Sequence, residues 1–144
     1  MTLLDETNGR ILTLLQQNAR LTHAQIAREV GLTAPSVAER IRKLEDAGII
    51  ERYTATLNPQ KLGYTLKAFI HLTCPASRYR AVQEWAQNKK EVREVYHVLG
   101  QVSLMLDVQA RSIEDLEKLV QELSTFGTTE TTLVFSTLMH QNMW

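Results

Sequence analysis

Apolar side chains recur at helical spacing up to Gly48, then alternate with polar ones through much of the remainder. The stretch from about Asp5 to Asn18 puts Leu4, Ile11, Leu14 and Leu15 on one face and predicts a helix. A second helix follows Thr22, whose side chain caps it while Gln25 reaches back as the other half of a capping box; Ile26, Ala27 and Val30 share its apolar face. Gly31 supplies a tight turn, because a residue without Cβ tolerates positive φ. Thr33 caps a third helix with Pro35 in its first turn, where a missing N–H has no helical partner to lose. Val37, Ile41 and Leu44 line its inner face, and Gly48 stops it. Two short capped helices about a glycine turn form a helix-turn-helix, and the preceding helix completes a three-helix unit.

What the third helix leaves outside is a polar ridge, with Ser36, Glu39, Arg40 and Lys43 roughly one turn apart. With Thr33 and Pro35 at the helix start, these are the expected DNA contacts. Arg40 suits guanine edges or a phosphate, Lys43 and the adjacent Arg42 suit phosphates, and Ser36 suits either. Any amphipathic helix has a solvated polar face; the capped pair with its glycine turn is what favours DNA here.

Past Gly48 the periodicity changes. Ile49 to Leu57 is rich in β-branched and alternating residues and predicts a strand leading away from the recognition helix. Asn58-Pro59 and Gly63 break the chain. The expected organisation is a helix-turn-helix domain over residues 1–53, a linker over 54–64 and a second domain over 65–144. In that domain Leu66–Cys74 predicts a strand, Ser77–Asn88 a helix carrying Val82, Trp85 and Ala86, and Val92–Leu99 and Val102–Ala110 two strands about Gly100-Gln101. Ile113–Leu123 predicts a helix with Leu116, Leu119, Val120 and Leu123 inward, and Thr129–Met139 a last strand. The β-α-β-β-α-β order is the ferredoxin-like arrangement, an antiparallel sheet with both helices on one face. The fold class is therefore α+β, a winged helix-turn-helix followed by a ferredoxin-like domain.

Strand alternation describes the uncovered sheet face as well. Val102, Leu104, Leu106 and Val108 point to the helices and Ser103, Met105, Asp107 and Gln109 away; opposite Leu66, Ala68, Ile70 and Leu72 stand Lys67, Phe69, His71 and Thr73. A face with Phe69 and Met105 is too apolar for free solvent, so two such sheets are expected to pack together in a homodimer.

Composition narrows the partners. The net charge is zero and the apolar fraction 44%, which fits a folded domain and excludes binding to nucleic acid by bulk charge. A neutral module gains little from counterion release, so DNA binding must rely on placed cations and several copies acting together. The N-terminus carries acids and no signal-like apolar run, and no stretch is long and apolar enough to span a membrane, so a soluble cytoplasmic protein is expected. Cys74 is the sole cysteine and is read as a small apolar strand residue. His23, His71, His97 and His140 are scattered without metal-ligand spacing, and the six glycines build neither a phosphate loop nor a nucleophile elbow. No enzymatic activity, metal or cofactor is expected. A protein-interaction module on a winged-helix scaffold is the alternative of a different class.

The chain resembles the Lrp/AsnC, or feast/famine, transcriptional regulators along its whole length. The resemblance runs through Leu4-Asp5, Gly9-Arg10-Ile11-Leu12, Asn18-Ala19-Arg20-Leu21, Val30-Gly31-Leu32-Thr33, Val37, Arg40-Ile41, Leu44-Glu45, Gly48-Ile49-Ile50, Tyr53, Leu57 and Leu62-Gly63. It implies a DNA-binding domain followed by a βαββαβ regulatory domain that dimerises through its sheet, further assembly into tetramers or octamers that wrap DNA, and a free amino acid as effector. The implied effector site comprises Gly100, Gln101, Val102 and Ser103 with Thr129, Glu130 and Thr131. The family's usual Gly-Asp-Tyr-Asp is here Gly100-Gln101-Val102-Ser103, without either carboxylate, and its Leu-Pro-Gly is Leu123-Ser124-Thr125. An amino acid needs a partner for its ammonium and donors for its carboxylate. Glu130 is the acid left to serve, so an amino-acid-responsive regulator and an effector-independent, architectural DNA-bending protein both stay open. Trp144 is expected to tuck against a neighbouring subunit.

Overall fold

The computed structural model describes residues 2–141, and Trp144 lies outside them. The chain forms two compact units, one up to Thr56 together with the segment from Met139, the other Leu57–Leu138. No helix among the described residues is long and apolar enough to cross a membrane.

The first unit is built from helices α1 (Glu6–Gln17), α2 (His23–Val30) and α3 (Ala34–Asp46). Each starts where a side chain satisfies an orphan backbone N–H. Asp5 accepts from the Asn8 amide at 2.7 Å. Thr22 and Gln25 form the full capping box, and Thr33 accepts from the Ser36 amide. Gly31 and Gly48 both sit at φ 70°, the left-handed conformation that ends α2 and follows the Ala47 cap of α3. Ile11, Ile26, Ala27, Val37 and Ile41 form the core, with Leu14, Leu15, Leu21, Val30, Leu32 and Ile50 packed around them. Each fully buried aliphatic contributes about 1.5–3 kcal/mol of transfer free energy. Leu4, expected on the inner face of α1, instead precedes the cap and stays 48% exposed, while Leu12, Asn8 and Gly9 are buried.

The strand expected over Ile49–Leu57 does not form. That stretch is irregular and largely exposed, because alternation confers competence for a ladder and no neighbouring backbone pairs with it among the described residues.

The second unit contains β1 (Leu66–Thr73), α4 (Tyr79–Gln87), β2 (Val92–His97), β3 (Leu104–Ala110), α5 (Ile113–Ser124) and β4 (Thr128–Leu133), with 3-10 turns at Gln60–Leu62 and Ala76–Arg78. The sheet order is β2-β3-β1-β4 and every pairing is antiparallel. Ile70 faces Leu106 and Thr131 in the two ladders it shares. Ala68, Ile70, Leu72, Leu104, Leu106, Val108 and Ala110 point into the core and meet Val82, Leu116, Leu119 and Leu123. On the opposite sheet face Lys67, Phe69, His71, Met105, Asp107 and Gln109 are half-buried.

Several boundaries differ from expectation, those of the later strands most. β2 ends at His97 and β3 starts at Leu104, so Val102 and Ser103 belong to the connecting loop, whose last residue still bonds both neighbours: the Ser103 amide donates to Leu72 O and its carbonyl accepts from the Val98 amide. β4 ends at Leu133, beyond which Phe135, Leu138 and Met139 are exposed chain. Ladder pairing ends there with the bond from the Val134 amide to Lys67 O.

Candidate nucleic-acid interface and regulatory site

The capped start of α3 places Thr33 and Pro35 at its exposed end and leaves Ser36 half-buried beside them. Further along, Glu39, Arg42, Lys43 and Asp46 are exposed, while Val37, Ile41 and Leu44 are buried. The outer face is thus defined by residues at i, i+3, i+4 and i+7 from Glu39, the helical repeat of one side.

Arg40 does not share that face. Its guanidinium turns inward, where Nη1 donates to Asp5 Oδ2 at 2.8 Å and to Asn8 Oδ1 at 2.9 Å, leaving its side chain 17% exposed. Asn8, buried itself, donates through Nδ2 to Leu3 O at 2.8 Å. The physical reason is position: Arg40 precedes the buried Ile41 and lies toward α1, whose N-terminal polar groups need a donor. Arg40 therefore holds the recognition helix against the start of α1. The hydrogen bond from Arg40, reinforced by the Asn8 amide, keeps the Asp5 carboxyl below its ordinary range.

In Arg40's place the outer face offers Arg42. Its Nε and Nη2 donate to the two Glu39 carboxylate oxygens at 3.1 and 2.9 Å, and its Nη1 donates to Asp46 at 2.6 Å. Lys43 Nζ stands 3.6 Å from Glu39. Beyond the helix, the Tyr53 hydroxyl donates to Glu45 at 2.7 Å; burial first, then that carboxylate, pushes its pKa up to about 12.

In the second unit, the residues of the expected effector site stand on either side of the end of β1. Thr129, Glu130 and Thr131 pair with Leu72, His71 and Ile70. On the other side, the Ser103 amide donates to Leu72 O at 3.0 Å. The Ser103 hydroxyl donates to Cys74 O at 3.0 Å and accepts from the Cys74 amide at 3.3 Å. Gly100 and Gln101 are exposed in the loop between β2 and β3, and Val102 is half-buried. Glu130 lies opposite His71 and so shares the sheet face away from the helices. Two strand spacings, on the order of 10 Å, separate the flanking segments.

Several residues of these sites carry no obvious sequence signal. Gly127 is one: a Cβ there would lie 2.2 Å from Thr73 O and 2.9 Å from Cys74 Cβ, so β4 enters the sheet by close backbone approach. Its place just before a strand was the available clue. Tyr79 and His97 meet with ring centroids 5.0 Å apart beside the β2–β3 loop. Asp107 sits on the open sheet face with Oδ2 3.4 Å from Lys67 Nζ and a buried Oδ1 that has no hydrogen-bond partner among the described residues.

Two family models match the chain: winged helix-turn-helix DNA-binding over residues 4–51, and Lrp/AsnC ligand binding domain over residues 67–144. The HTH-type transcriptional regulator LrpC of Bacillus subtilis is 30% identical over 139 residues, covering 96% of each chain. Its solved structure superposes with a TM-score of 0.91 at 29% identity, covering 98% of this chain and 100% of that one. The transcriptional regulator NMB0573 of Neisseria meningitidis, solved as an L-Met complex, gives a TM-score of 0.89 at 26% identity, with 98% and 96% covered. The feast or famine regulatory protein Rv3291c of M. tuberculosis, complexed with L-methionine, gives 0.85 at 28% identity, with 98% of both chains covered.

Proposed function

The chain belongs to the Lrp/AsnC family of transcriptional regulators, and on that premise we propose that it reads duplex DNA sequence-specifically as a dimer or higher assembly whose affinity an amino acid adjusts. The observation that carries the DNA reading is the exposed face of α3, Thr33, Pro35, Glu39, Arg42 and Lys43, set on a capped and glycine-turned scaffold. Arg40 acts behind that face as a positioning residue. Two such helices related by a two-fold axis enter successive major grooves, so the operator is roughly palindromic. Several dimers on one DNA bend or wrap it, compensating through multivalency for a chain of zero net charge. The protein works in the cytoplasm, where its DNA is.

The open sheet face supports the dimer. Half-buried Phe69 and Met105, and an Asp107 Oδ1 without a partner among the described residues, all call for a covering surface, and a second copy of the same face supplies it.

For the effector, the L-Met complexes of two relatives support an amino acid with an apolar side chain. Gly100, Gln101, Val102 and Ser103 with Thr129, Glu130 and Thr131 bracket the end of β1 as its site, with Glu130 answering the ammonium. One observation favours the effector-independent, architectural reading. The Ser103 hydroxyl is engaged twice by the Cys74 backbone, and residues 100–103 hold no acid. Titration calorimetry with L-methionine and L-leucine, paired with gel retardation of genomic fragments, separates the two. Heat of binding that disappears in Glu130→Gln, with altered retardation, supports the effector; retardation indifferent to both ligands supports the architectural regulator. Absence of retardation at low salt defeats the DNA reading and moves a protein-interaction module to first place.

A further inference from the structure

The two cations on the outer face of α3 are both held by one carboxylate. Arg42 grips Glu39 with two parallel N–H bonds, and Lys43 approaches the same Oε1. Arg42's remaining bond goes to Asp46, so the helix presents a closed ladder of alternating charge rather than free cations. These side chains are half exposed or more, and ion pairs of that kind contribute little to stability. Phosphates can therefore displace Glu39 from Arg42 at small cost.

Displacement has a second consequence. It leaves the Glu39 carboxylate facing the polyanion without its guanidinium, on a unit whose charges otherwise balance. A carboxylate in the major groove finds a matching donor in the N4 amino group of cytosine and is repelled by groups that only accept. Adenine's N6 amino group is the other major-groove donor but lies beside that base's own N7 acceptor, so Glu39 is well compensated over cytosine and poorly elsewhere, which is discrimination by an unfavourable term.

We propose that Glu39 is the selectivity residue of the recognition helix: its carboxylate masks Arg42 and Lys43 from phosphates in general and is compensated where the major groove presents a cytosine amino group. The inference rests on the DNA-binding reading of α3 and assigns one residue's part in it. The pairing also draws the Glu39 carboxyl below its ordinary range, chiefly through the Arg42 hydrogen bond, so the mask is in place throughout the neutral range.

The test uses the full-length protein. A randomised 30-bp duplex pool is selected with wild type and with Glu39→Gln, and both are then titrated on the recovered duplex and on a scrambled one over a salt series. Glu39→Gln is expected to bind the scrambled duplex about three- to tenfold more tightly, with a salt slope steeper by about 1, and to lose preference at one cytosine in each half-site. Glu39→Gln/Arg42→Gln should lose that gain, and Glu117→Gln, an equal charge change on exposed α5, should not produce it. Unchanged scrambled-duplex affinity with the cytosine preference intact overturns the proposal while leaving DNA binding standing. A gain matched by Glu117→Gln also overturns it, since net charge then suffices. If wild type enriches no duplex and retards none at low salt, the parent reading falls and this one with it.

Discussion

Arg40 and Asp5 are 35 positions apart in the chain and 2.8 Å apart in space, guanidinium Nη1 to carboxylate Oδ2. Through them the middle of the recognition helix is tied to the cap of α1, with buried Asn8 as the third member. Removing Asn8 as Asn8→Ala strips a partner from Arg40 and from Leu3 O, and a buried group left unsatisfied costs about 1–3 kcal/mol. Urea denaturation followed by far-UV circular dichroism should show that loss in the helical unit. Its DNA affinity should fall by the same factor on every sequence, as befits positioning rather than base contact.

The same pair gives a pH dependence with a definite sign. Asp5 has a lowered folded pKa, so its contribution is complete above the unfolded value of about 4 and is lost as pH falls through the folded one. Wild type should therefore lose stability on acidification below about pH 4 more steeply than Asp5→Asn, which starts lower and runs flatter. Thermal melts across pH 2–6 check this.

Tyr53 marks the alkaline side. Its folded pKa of about 12 lies above the ordinary phenol value, so its contribution is present below about pH 10 and is lost as pH rises toward the folded value. Difference absorbance at the phenolate band should show one of the four tyrosines ionising late, and Tyr53→Phe should remove that late step.

Gly127→Ala introduces a methyl group 2.2 Å from a backbone oxygen that cannot swing away. The start of β4 must lift from the end of β1. Hydrogen exchange should quicken at Thr129 and Thr131, and any amino-acid response routed through those residues should weaken. By contrast Gly31→Ala meets open space and pays the left-handed backbone penalty of about 1–2 kcal/mol.

Leu106→Ala removes a fully buried side chain from the centre of the β3–β1 ladder. A loss of about 2–5 kcal/mol is expected, readable as a lower denaturant midpoint of the sheet-containing unit with the helical unit's transition unmoved.

How much of this was legible in the chain depended on the range of the interaction. Thr22 with Gln25, Thr33 with Pro35, and Gly31 and Gly48 act within one helical turn, so residue type and spacing revealed them. The alternation of Leu104, Leu106 and Val108 likewise revealed the core face of β3. Arg40 misled because its spacing suits an exposed ridge, and the partners that draw it inward lie in α1. Ile49–Leu57 misled for the complementary reason: alternation describes what a strand could do, and a ladder requires a partner. Gly127 and the Ser103–Cys74 bonds were silent because each depends on which backbone comes alongside.

The sheet order carries a consequence for synthesis. β1 lies between β3 and β4, so the first strand to leave the ribosome waits for the last before both its edges are paired. At about 5–20 residues per second that interval is on the order of several seconds, and Phe69 and Ile70 pass through it without their final neighbours. The core of the helical unit, drawn from residues up to Ile50, is all synthesised well before. A nascent chain stalled after α3 should already protect its amides, whereas one stalled before β4 should still offer an aggregation-prone edge to chaperones.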